Sequence, residues 1–367
     1  MILHWRFYYN SSEDFACADN TPRIGERDIV RLFDKGVSMI VDIHAHYMPS
    51  EWINELRRHG AKYGCSVEED AKGSLLLRIG DRKASPVLAS LSDLSRRYEA
   101  MAERGLDKQV LSPSLGTVGY HLEPRHGQAL SRLFNETVVD TAKRSGGRLI
   151  PVGTIPMQSS AAAVEELDYA VRLGIRMIEI CTNVNGINLD DDLFRPFFTR
   201  VTELGVLVQV HPNHEQCAGL DRLNRYFLNN LIGNPMDTAI AAASLIFGGV
   251  MERLPGLNVC LVHGGGALPY LLGRLSYGYS NIKAAHTISK SPAHYFRCFY
   301  FDTVVHDPIA LCFLHDLVGS ERLLLGTDYP YDNTGEPDPR GFLHLTGLGN
   351  KEEILGGTAA KLLGIAE

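Results

Sequence analysis

Short apolar runs rich in β-branched residues recur along the chain, and segments with helical spacing separate them. Eight of these runs predict strands, at 39–44, 109–113, 149–156, 176–182, 206–211, 258–263, 299–303 and 323–328. Continuous apolar strands that alternate with helices are typical of parallel βα units. Eight such units in order predict an α/β protein with a (β/α)8 barrel, the TIM-barrel architecture.

The segments between the strands carry helix stop signals. Helical spacing predicts helices over 94–104, 124–144, 161–173 and 191–204. Glycines follow three of them and are expected to end those helices, namely Gly105, Gly174 and Gly205. A doubly wound open sheet is the rival architecture, but no GxGxxG motif follows an early strand. The barrel is therefore favoured.

Two stretches stand outside the barrel pattern. Residues 1–38 precede the first predicted strand and are read as an N-terminal extension to a barrel domain at 39–367. Residues 47–90 are too long for a simple βα connection, and an apolar run at 74–78 before a Gly80-Asp81 turn predicts a hairpin insertion. An insertion after the first strand begins at the end of the barrel that carries active sites. We therefore expect it to roof the site.

Composition narrows the possible partners. The 367 residues are 45% hydrophobic and 22% charged, a composition that is ordinary for a globular enzyme. The formal net charge is −7, and this negative charge argues against nucleic-acid binding. The longest uncharged apolar stretch, 238–251, is shorter than the roughly 20 residues that span a bilayer, and it predicts a buried helix. Seven cysteines without a CxxC motif, and no clear signal peptide, predict reduced thiols in a cytoplasmic protein without membrane partners.

Metal-binding residue types end four of the predicted strands. His44 and His46 end the first strand, His211 the fifth, His263 the sixth and Asp328 the eighth. Because the carboxyl ends of all barrel strands lie on one face, we expect these side chains to meet. Imidazole and carboxylate ligands suit Zn²⁺, Mn²⁺ or Fe²⁺ with one position open. A single buried histidine is more often a core residue, but the repeated coincidence favours a metal site.

Five motifs occur in order between residues 39 and 364: VDIHAHYMP, VHP, LVHGGGALPYLLGRLSYG, FDTVVHDP and LLGTDYP. Together they resemble the amidohydrolase-related metal-dependent decarboxylases. The resemblance implies a TIM barrel of the amidohydrolase superfamily and a homodimer. It also implies that His44, His46, His211 and Asp328 hold one divalent transition metal, with zinc favoured and manganese as the alternative. His263 then matches the histidine that orients a water or moves a proton.

The sequence departs from the family pattern where substrate is held. The resemblance implies arginines that grip substrate carboxylates, one in the insertion and one on a partner subunit, but the corresponding residues here are Ser85 and Ile282. Arg82, Lys83 and Lys283 lie nearby in sequence and are the substitutes. The substrate pocket is therefore expected to differ while the metal site is retained.

Two further residues are candidates for substrate binding beside Lys83. His214 follows the VHP motif and is either a pocket residue or a solvated loop histidine. Arg274 lies in the LLGRLSYG segment and either holds a substrate carboxylate or pairs with an acidic neighbour.

Three acidic residues at strand ends have open interpretations. Asp42 precedes the HxH motif and is expected to support it or to have a structural role. Glu179 points either into the barrel mouth or toward the helices, and Asp302 is read the same way with a preference for a structural role.

The leading interpretation is a metal-dependent decarboxylase, a carbon–carbon lyase acting on an amino- or hydroxy-substituted aromatic or muconate-type acid. The carbon that loses CO₂ must be protonated, and a histidine suits that transfer at neutral pH, so His263 and Asp328 are the catalytic candidates. The alternative is an amidohydrolase-type hydrolase or cyclase acting on an amide, ester or lactone. The altered arginine positions keep this alternative open, because a substrate with fewer carboxylates needs fewer guanidinium groups.

Overall fold

The structure is a computed structural model that describes residues 39–213, 215–331, 342–343 and 346–365. These residues belong to one compact unit. The N-terminal extension at 1–38 and His214 lie outside the described residues.

A barrel of parallel strands forms the centre of this unit. The described residues contain strands inside and outside the barrel, in chain order β1 (Val41–Asp42), β2 (His46–Tyr47), β3 (Cys65–Glu69), β4 (Leu75–Ile79), β5 (Ser85–Pro86), β6 (Lys108–Pro113), β7 (Leu149–Thr154), β8 (Met177–Cys181), β9 (Asn183–Val184), β10 (Ile187–Asn188), β11 (Leu207–His211), β12 (Asn258–Leu261), β13 (Tyr300–Asp302) and β14 (Leu323–Leu324). The barrel order is β1-β6-β7-β8-β11-β12-β13-β14, and β2 also pairs with β6. Because β1 and β2 share one position, the barrel has eight positions, which confirms the predicted fold.

Backbone hydrogen bonds join the last barrel segment to the first. The Ile43 amide donates to the Leu325 carbonyl at 2.9 Å, and the His46 amide donates to the Tyr329 carbonyl at 2.6 Å. A parallel bridge pairs Ala45 with Tyr329. These contacts bring the two ends of the barrel sequence side by side.

Helices connect the strands and pack outside them. They are α1 (Ser50–His59), α2 (Ala89–Ser92), α3 (Leu94–Glu103), α4 (Pro124–Arg144), α5 (Ser160–Arg172), α6 (Arg195–Leu204), α7 (Asn234–Phe247), α8 (Val250–Arg253), α9 (Leu268–Asn281), α10 (Pro292–Phe296), α11 (Pro308–Val318) and α12 (Thr358–Leu363). Local sequence explains their ends, since Asp93 caps α3 and Gly205 ends α6 with a φ of 65°. No helix in the described part of the chain combines the length and apolarity needed to cross a bilayer.

The segment between β2 and α2 contains a small antiparallel sheet. Strand β4 pairs with both β3 and β5, so a short third strand joins the hairpin expected from the sequence. The His121 imidazole bonds the Ile79 carbonyl at 2.8 Å, and the Arg82 guanidinium lies 3.9 Å from the Glu215 carboxylate. The tip of this sheet therefore contacts the loops that follow β6 and β11.

The glycine run after β12 has a steric cause. Gly264, Gly265 and Gly266 all have positive φ values, between 59° and 79°. A Cβ on Gly266 would lie 2.2 Å from the Pro235 carbonyl oxygen, and one on Gly264 would lie 2.3 Å from the Val305 side chain. Only glycine allows the chain to turn this close to the neighbouring backbone.

We expect Gly266→Ala to destabilise the fold by about 2–5 kcal/mol, because left-handed strain and overpacking add. Chemical unfolding of the purified variant measures this loss. The control is Gly278→Ala, since Gly278 lies in α9 and its added Cβ would meet the nearest side-chain atom at an ordinary 3.9 Å. A Gly266 variant as stable as this control would contradict the steric argument.

Candidate metal centre

Three histidines and one aspartate converge at the carboxyl ends of the barrel strands. His44 and His46 come from the first barrel position, His211 ends β11 and Asp328 follows β14. Their potential ligand atoms all lie within 4.8 Å of one another. The three imidazole centroids are 4.9–5.2 Å apart. The four residues expected from the sequence therefore form one cluster.

Backbone carbonyls orient two of the imidazoles. The His46 Nδ1 donates to the Pro113 carbonyl at 2.9 Å, and the His211 Nδ1 donates to the Pro212 carbonyl at 2.8 Å. A carbonyl only accepts hydrogen bonds, so each Nδ1 carries the proton and each Nε2 presents a lone pair. Both Nε2 atoms face the cluster.

The third imidazole is oriented by a buried carboxylate. Asp302, at the end of β13, places its Oδ2 2.6 Å from the His44 Nδ1. Its Oδ1 accepts hydrogen bonds from the amides of Gly264 and Val304. Burial opposes ionisation of Asp302, but the hydrogen bond and charge of His44, the His263 imidazole and the Gly264 amide together outweigh it and lower the pKa of this carboxyl. A carboxylate behind a ligating histidine fixes the ring and increases its basicity.

The atoms that face the centre have no hydrogen-bond partners among the described residues. They are the Nε2 atoms of His44, His46 and His211 and the Oδ1 of Asp328, all of them buried. The Asp328 Oδ1 lies 3.4 Å from the His44 Nε2 and 3.0 Å from the His46 Nε2. Ligand atoms around a tetrahedral ion with bonds of about 2.0–2.1 Å are roughly 3.3 Å apart. The donor set and its spacing therefore fit one divalent cation.

Charges in the cluster are strongly coupled. Burial opposes protonation of His44, but the Asp328 and Asp302 carboxylates outweigh it and raise the pKa of His44 to about 9. Burial and the neighbouring imidazoles hold the pKa of His211 well below its usual value. The histidines keep the pKa of Asp328 well below its ordinary range although burial opposes this. An ionised aspartate and a neutral His211 are the protonation states that metal binding requires, whereas His44 has to release its second proton when an ion binds.

A buried polar network supports the strand that carries His44 and His46. The Asp42 carboxylate accepts hydrogen bonds from the Thr327 amide (3.1 Å), the Thr327 hydroxyl (2.7 Å) and the Gln109 amide group (2.7 Å). The fully buried Arg97 donates to Gln109 Oε1 at 2.6 Å and also to the His46 carbonyl. Asp42 and Arg97 therefore connect the first barrel segment with the last one and with α3.

His263 lies beside the cluster. Its Nε2 is 3.7 Å from the Asp328 Oδ2, and its ring centroid is 5.1 Å from that of His211. His263 and Asp328 have φ values of 55° and 60°, a left-handed conformation uncommon for residues other than glycine. Strained backbone of this kind concentrates at functional sites.

A cavity of about 440 Å³ opens next to His263 and Asp328. Its walls are mainly apolar, with asparagine and histidine groups at intervals. The lining residues include Asn230, Leu231, Asn234, Pro235, Tyr270, Val304, Val305, His306 and Phe313. The volume and the mixture of apolar walls with a few polar groups suit a small organic ligand.

The residues predicted to bind substrate do not join the cluster. Lys83 is exposed in the inserted sheet and Arg274 is exposed on α9, and no hydrogen bond or ion pair between described residues links either to the metal ligands. Arg82, which the sequence offers as a substitute for a missing arginine, has a buried Nη1 that makes no hydrogen bond among the described residues. Glu179 is fully buried, and it has no such bond either.

The fold and site define a class of barrel metalloenzyme with a three-histidine, one-aspartate centre. The chain belongs to the amidohydrolase family, whose model matches residues 41–365. The resemblance noted in the sequence is thereby confirmed.

Similar curated proteins and solved structures include several decarboxylases. The chain is 33% identical over 338 residues to 2-amino-3-carboxymuconate-6-semialdehyde decarboxylase of Dictyostelium discoideum, covering 89% of this chain and 92% of that protein. It is 26% identical to 5-carboxyvanillate decarboxylase from Sphingomonas paucimobilis, with a TM-score of 0.74 over 89% of this chain and 99% of that one. A Polaromonas dihydroxybenzoic acid decarboxylase, solved with manganese and 2-nitroresorcinol, shares the fold at 19% identity and a TM-score of 0.72, over 89% and 97% of the chains.

We expect the purified protein to contain about one divalent transition metal per chain. His211→Ala is expected to remove most of this metal, because one of the four ligand atoms is lost. Elemental analysis after gel filtration measures the metal content. His315→Ala is the matched control, since the His315 Nε2 bonds the Ser320 hydroxyl, away from the cluster. A His211 variant that retains full metal content would exclude this residue as a ligand.

Proposed function

We propose that the protein is a metal-dependent decarboxylase acting on an amino- or hydroxy-substituted aromatic or muconate-type acid. The convergence of three partnerless Nε2 atoms and one carboxylate oxygen beside a ligand-sized cavity is the observation that carries this proposal. The names of the curated relatives support the reaction type.

His44, His46, His211 and Asp328 would hold the ion. Imidazole-rich sites favour zinc, so we propose zinc, with manganese as the alternative that the Polaromonas structure contains. When bound, the ion supplies Lewis acidity that polarises the substrate and helps to orient it.

His263 is the proposed proton donor. The bond between the substrate carbon and its carboxylate breaks, CO₂ leaves, and the electron pair that stays on the carbon takes a proton from the imidazolium form of His263, which becomes a neutral imidazole. His263 borders the cavity and its Nε2 lies 3.7 Å from the Asp328 Oδ2, so the imidazolium can face the substrate while the aspartate balances its charge. The two Asp328 oxygens then have separate tasks, because Oδ1 faces His44 and His46 and Oδ2 faces His263.

Arg82 is the better placed cation for a substrate carboxylate within the insertion. Its Nη1 is buried, and its ion-pair contact with Glu215 is long at 3.9 Å. Lys83, Arg274 and His214 stay predictions. A guanidinium binds carboxylates through a planar fork that a lysine lacks.

A hydrolase or cyclase is the second candidate function. It keeps the same metal ligands and assigns His263 to a water instead of to a substrate carbon. Release of CO₂, as against release of an amine or alcohol, distinguishes the two reactions.

We also propose a homodimer in the cytoplasm. Support for the dimer comes from large apolar side chains that stay exposed, two of which, Leu231 and Tyr270, line the cavity; exposed apolar surface is common at protein interfaces. They include Tyr226, Phe227, Leu231, Tyr270 and Tyr277. Support for the compartment comes from the cysteines of the described residues, which are all free thiols.

His263→Ala is expected to keep the metal and to lower turnover about 10²–10⁴-fold, the usual contribution of a general acid–base group. Metal analysis and CO₂ release are measured on the same preparation, with His315→Ala as the control. Metal loss as large as in His211→Ala would make His263 a ligand, and unchanged turnover would remove it from the mechanism.

We expect poor turnover of 2-amino-3-carboxymuconate-6-semialdehyde, because Ser85 and Ile282 replace the arginines that the resemblance implies. Each charge-assisted hydrogen bond lost is worth about 1.5–3 kcal/mol, so two together lower the rate roughly 10²–10⁴-fold. The assay compares this substrate with hydroxy- and aminobenzoic acids and their esters and amides. Efficient turnover of the semialdehyde would show that other cations grip it.

A further inference from the structure

Glu179 occupies the middle of β8, inside the barrel and close to the metal centre. It pairs in register with Thr154 on β7 and with Gln209 on β11, two residues before the ligand His211. Its side chain is fully buried. Burial raises the pKa of Glu179 to about 7, and the neighbouring His46 and His44 act in the opposite direction. Gln209 accepts a hydrogen bond from Ser112, which pairs in register with His46, so Glu179 lies close to the strand positions of two metal ligands, His211 and His46.

The polar groups around Glu179 are directed elsewhere or lack partners themselves. The Ser112 hydroxyl donates to Gln209 Oε1 at 3.4 Å, and the Gln209 amide group donates to the Ile43 carbonyl at 3.0 Å. The Thr154 hydroxyl has no partner among the described residues, and neither carboxyl oxygen of Glu179 has one. The nearby Ser112 hydroxyl favours ionisation of Glu179, but no cation among the described residues pairs with this carboxylate, so it is compensated only weakly.

Glu166 shows how the same fold accommodates another buried glutamate. Its carboxyl group is also fully buried, but Arg132 donates to Oε2 at 2.8 Å and Asn135 donates to Oε1 at 2.9 Å. A buried carboxylate is costly unless it is paired with a cation or donors. Glu179 lacks a paired cation among the described residues, and a cation at the neighbouring centre would supply one.

A divalent ion at the neighbouring centre supplies the missing charge. Three neutral imidazoles and the Asp328 carboxylate leave such an ion with one net positive charge, which attracts both the Asp302 carboxylate behind His44 and the Glu179 carboxylate. We propose that Glu179 is a positioning residue for the metal, whose buried charge raises the affinity of the His44–His46–His211–Asp328 site for a divalent cation. This inference rests on the proposed metal-dependent function.

The test compares metal affinity in full-length variants. Metal-free protein is titrated with Zn²⁺, and separately with Mn²⁺, against a chromophoric chelator. We expect Glu179→Gln, which keeps the shape and removes the charge, to weaken binding about 10–100-fold, the range typical of groups behind metal ligands. Glu179→Asp retains the charge and is expected to recover most of the affinity. Glu166→Gln is the matched control, with unchanged affinity.

Thermal unfolding of the metal-free proteins separates this role from a structural one. Removing a weakly compensated buried carboxyl leaves metal-free Glu179→Gln at least as stable as the metal-free parent. Glu166→Gln loses an ion pair and is expected to be less stable while binding metal normally. Glu179→Ala is the second neutral variant if the glutamine variant does not fold, with the same expected loss of affinity.

Distinct results overturn the inference and the proposed function. A parent protein that binds metal and decarboxylates its substrates, beside a Glu179→Gln variant with affinity within threefold of the parent, overturns the inference alone. A metal-free Glu179→Gln protein that is markedly less stable than its parent also overturns it. A parent protein that binds neither ion overturns the metal-dependent function and this inference together.

Discussion

The site depends on the contact between the first and last barrel segments. His44 and His46 lie at one end of the barrel sequence and Asp328 at the other, so their encounter requires the barrel to close. Backbone hydrogen bonds at Ile43 and His46 make this closure, and the buried Asp42 carboxylate reinforces it through both the amide and the hydroxyl of Thr327. Any shift of one segment along the other would move the aspartate out of register with the imidazoles.

The closed barrel also holds the ligand atoms in an arrangement that is unfavourable in free energy without a cation. Each ligating imidazole has its Nδ1 bonded, so its Nε2 cannot rotate away to find another partner without breaking that bond. The Nε2 atoms are therefore held toward one point at the cost of unsatisfied buried polarity, and His263 and Asp328 add left-handed backbone strain. A bound cation offsets the first cost directly. The apolar packing of the barrel strands stabilises the fold enough to tolerate both the unsatisfied polar atoms and the backbone strain.

The barrel and the four ligand residues could be predicted because both have local signals. Apolar runs mark strands, and a histidine or aspartate at a strand end marks the mouth of the barrel. Asp302 and Glu179 also end or lie within predicted strands, but their roles depend on which side chain faces them across the barrel. The short strand Ser85–Pro86 has no alternating pattern, and it forms because β4 offers it an edge. The burial of Arg97 follows from the tertiary network and has no signal in its own helix.

The two sides of the centre differ in polarity, and this bears on the choice between decarboxylation and hydrolysis. The cavity beside His263 is walled by Leu231, Pro235, Val304 and Phe313, whereas the interior below the ligands carries Glu179 and Gln209. A substrate carboxylate placed against apolar walls loses hydration, and its departure as neutral CO₂ removes that cost. Hydrolysis needs a water held at the same place by polar groups, and these are the minority of the lining, namely Asn230, Asn234, His263, His306 and Asp328. The distribution of apolar and polar groups therefore favours loss of CO₂ over attack by water.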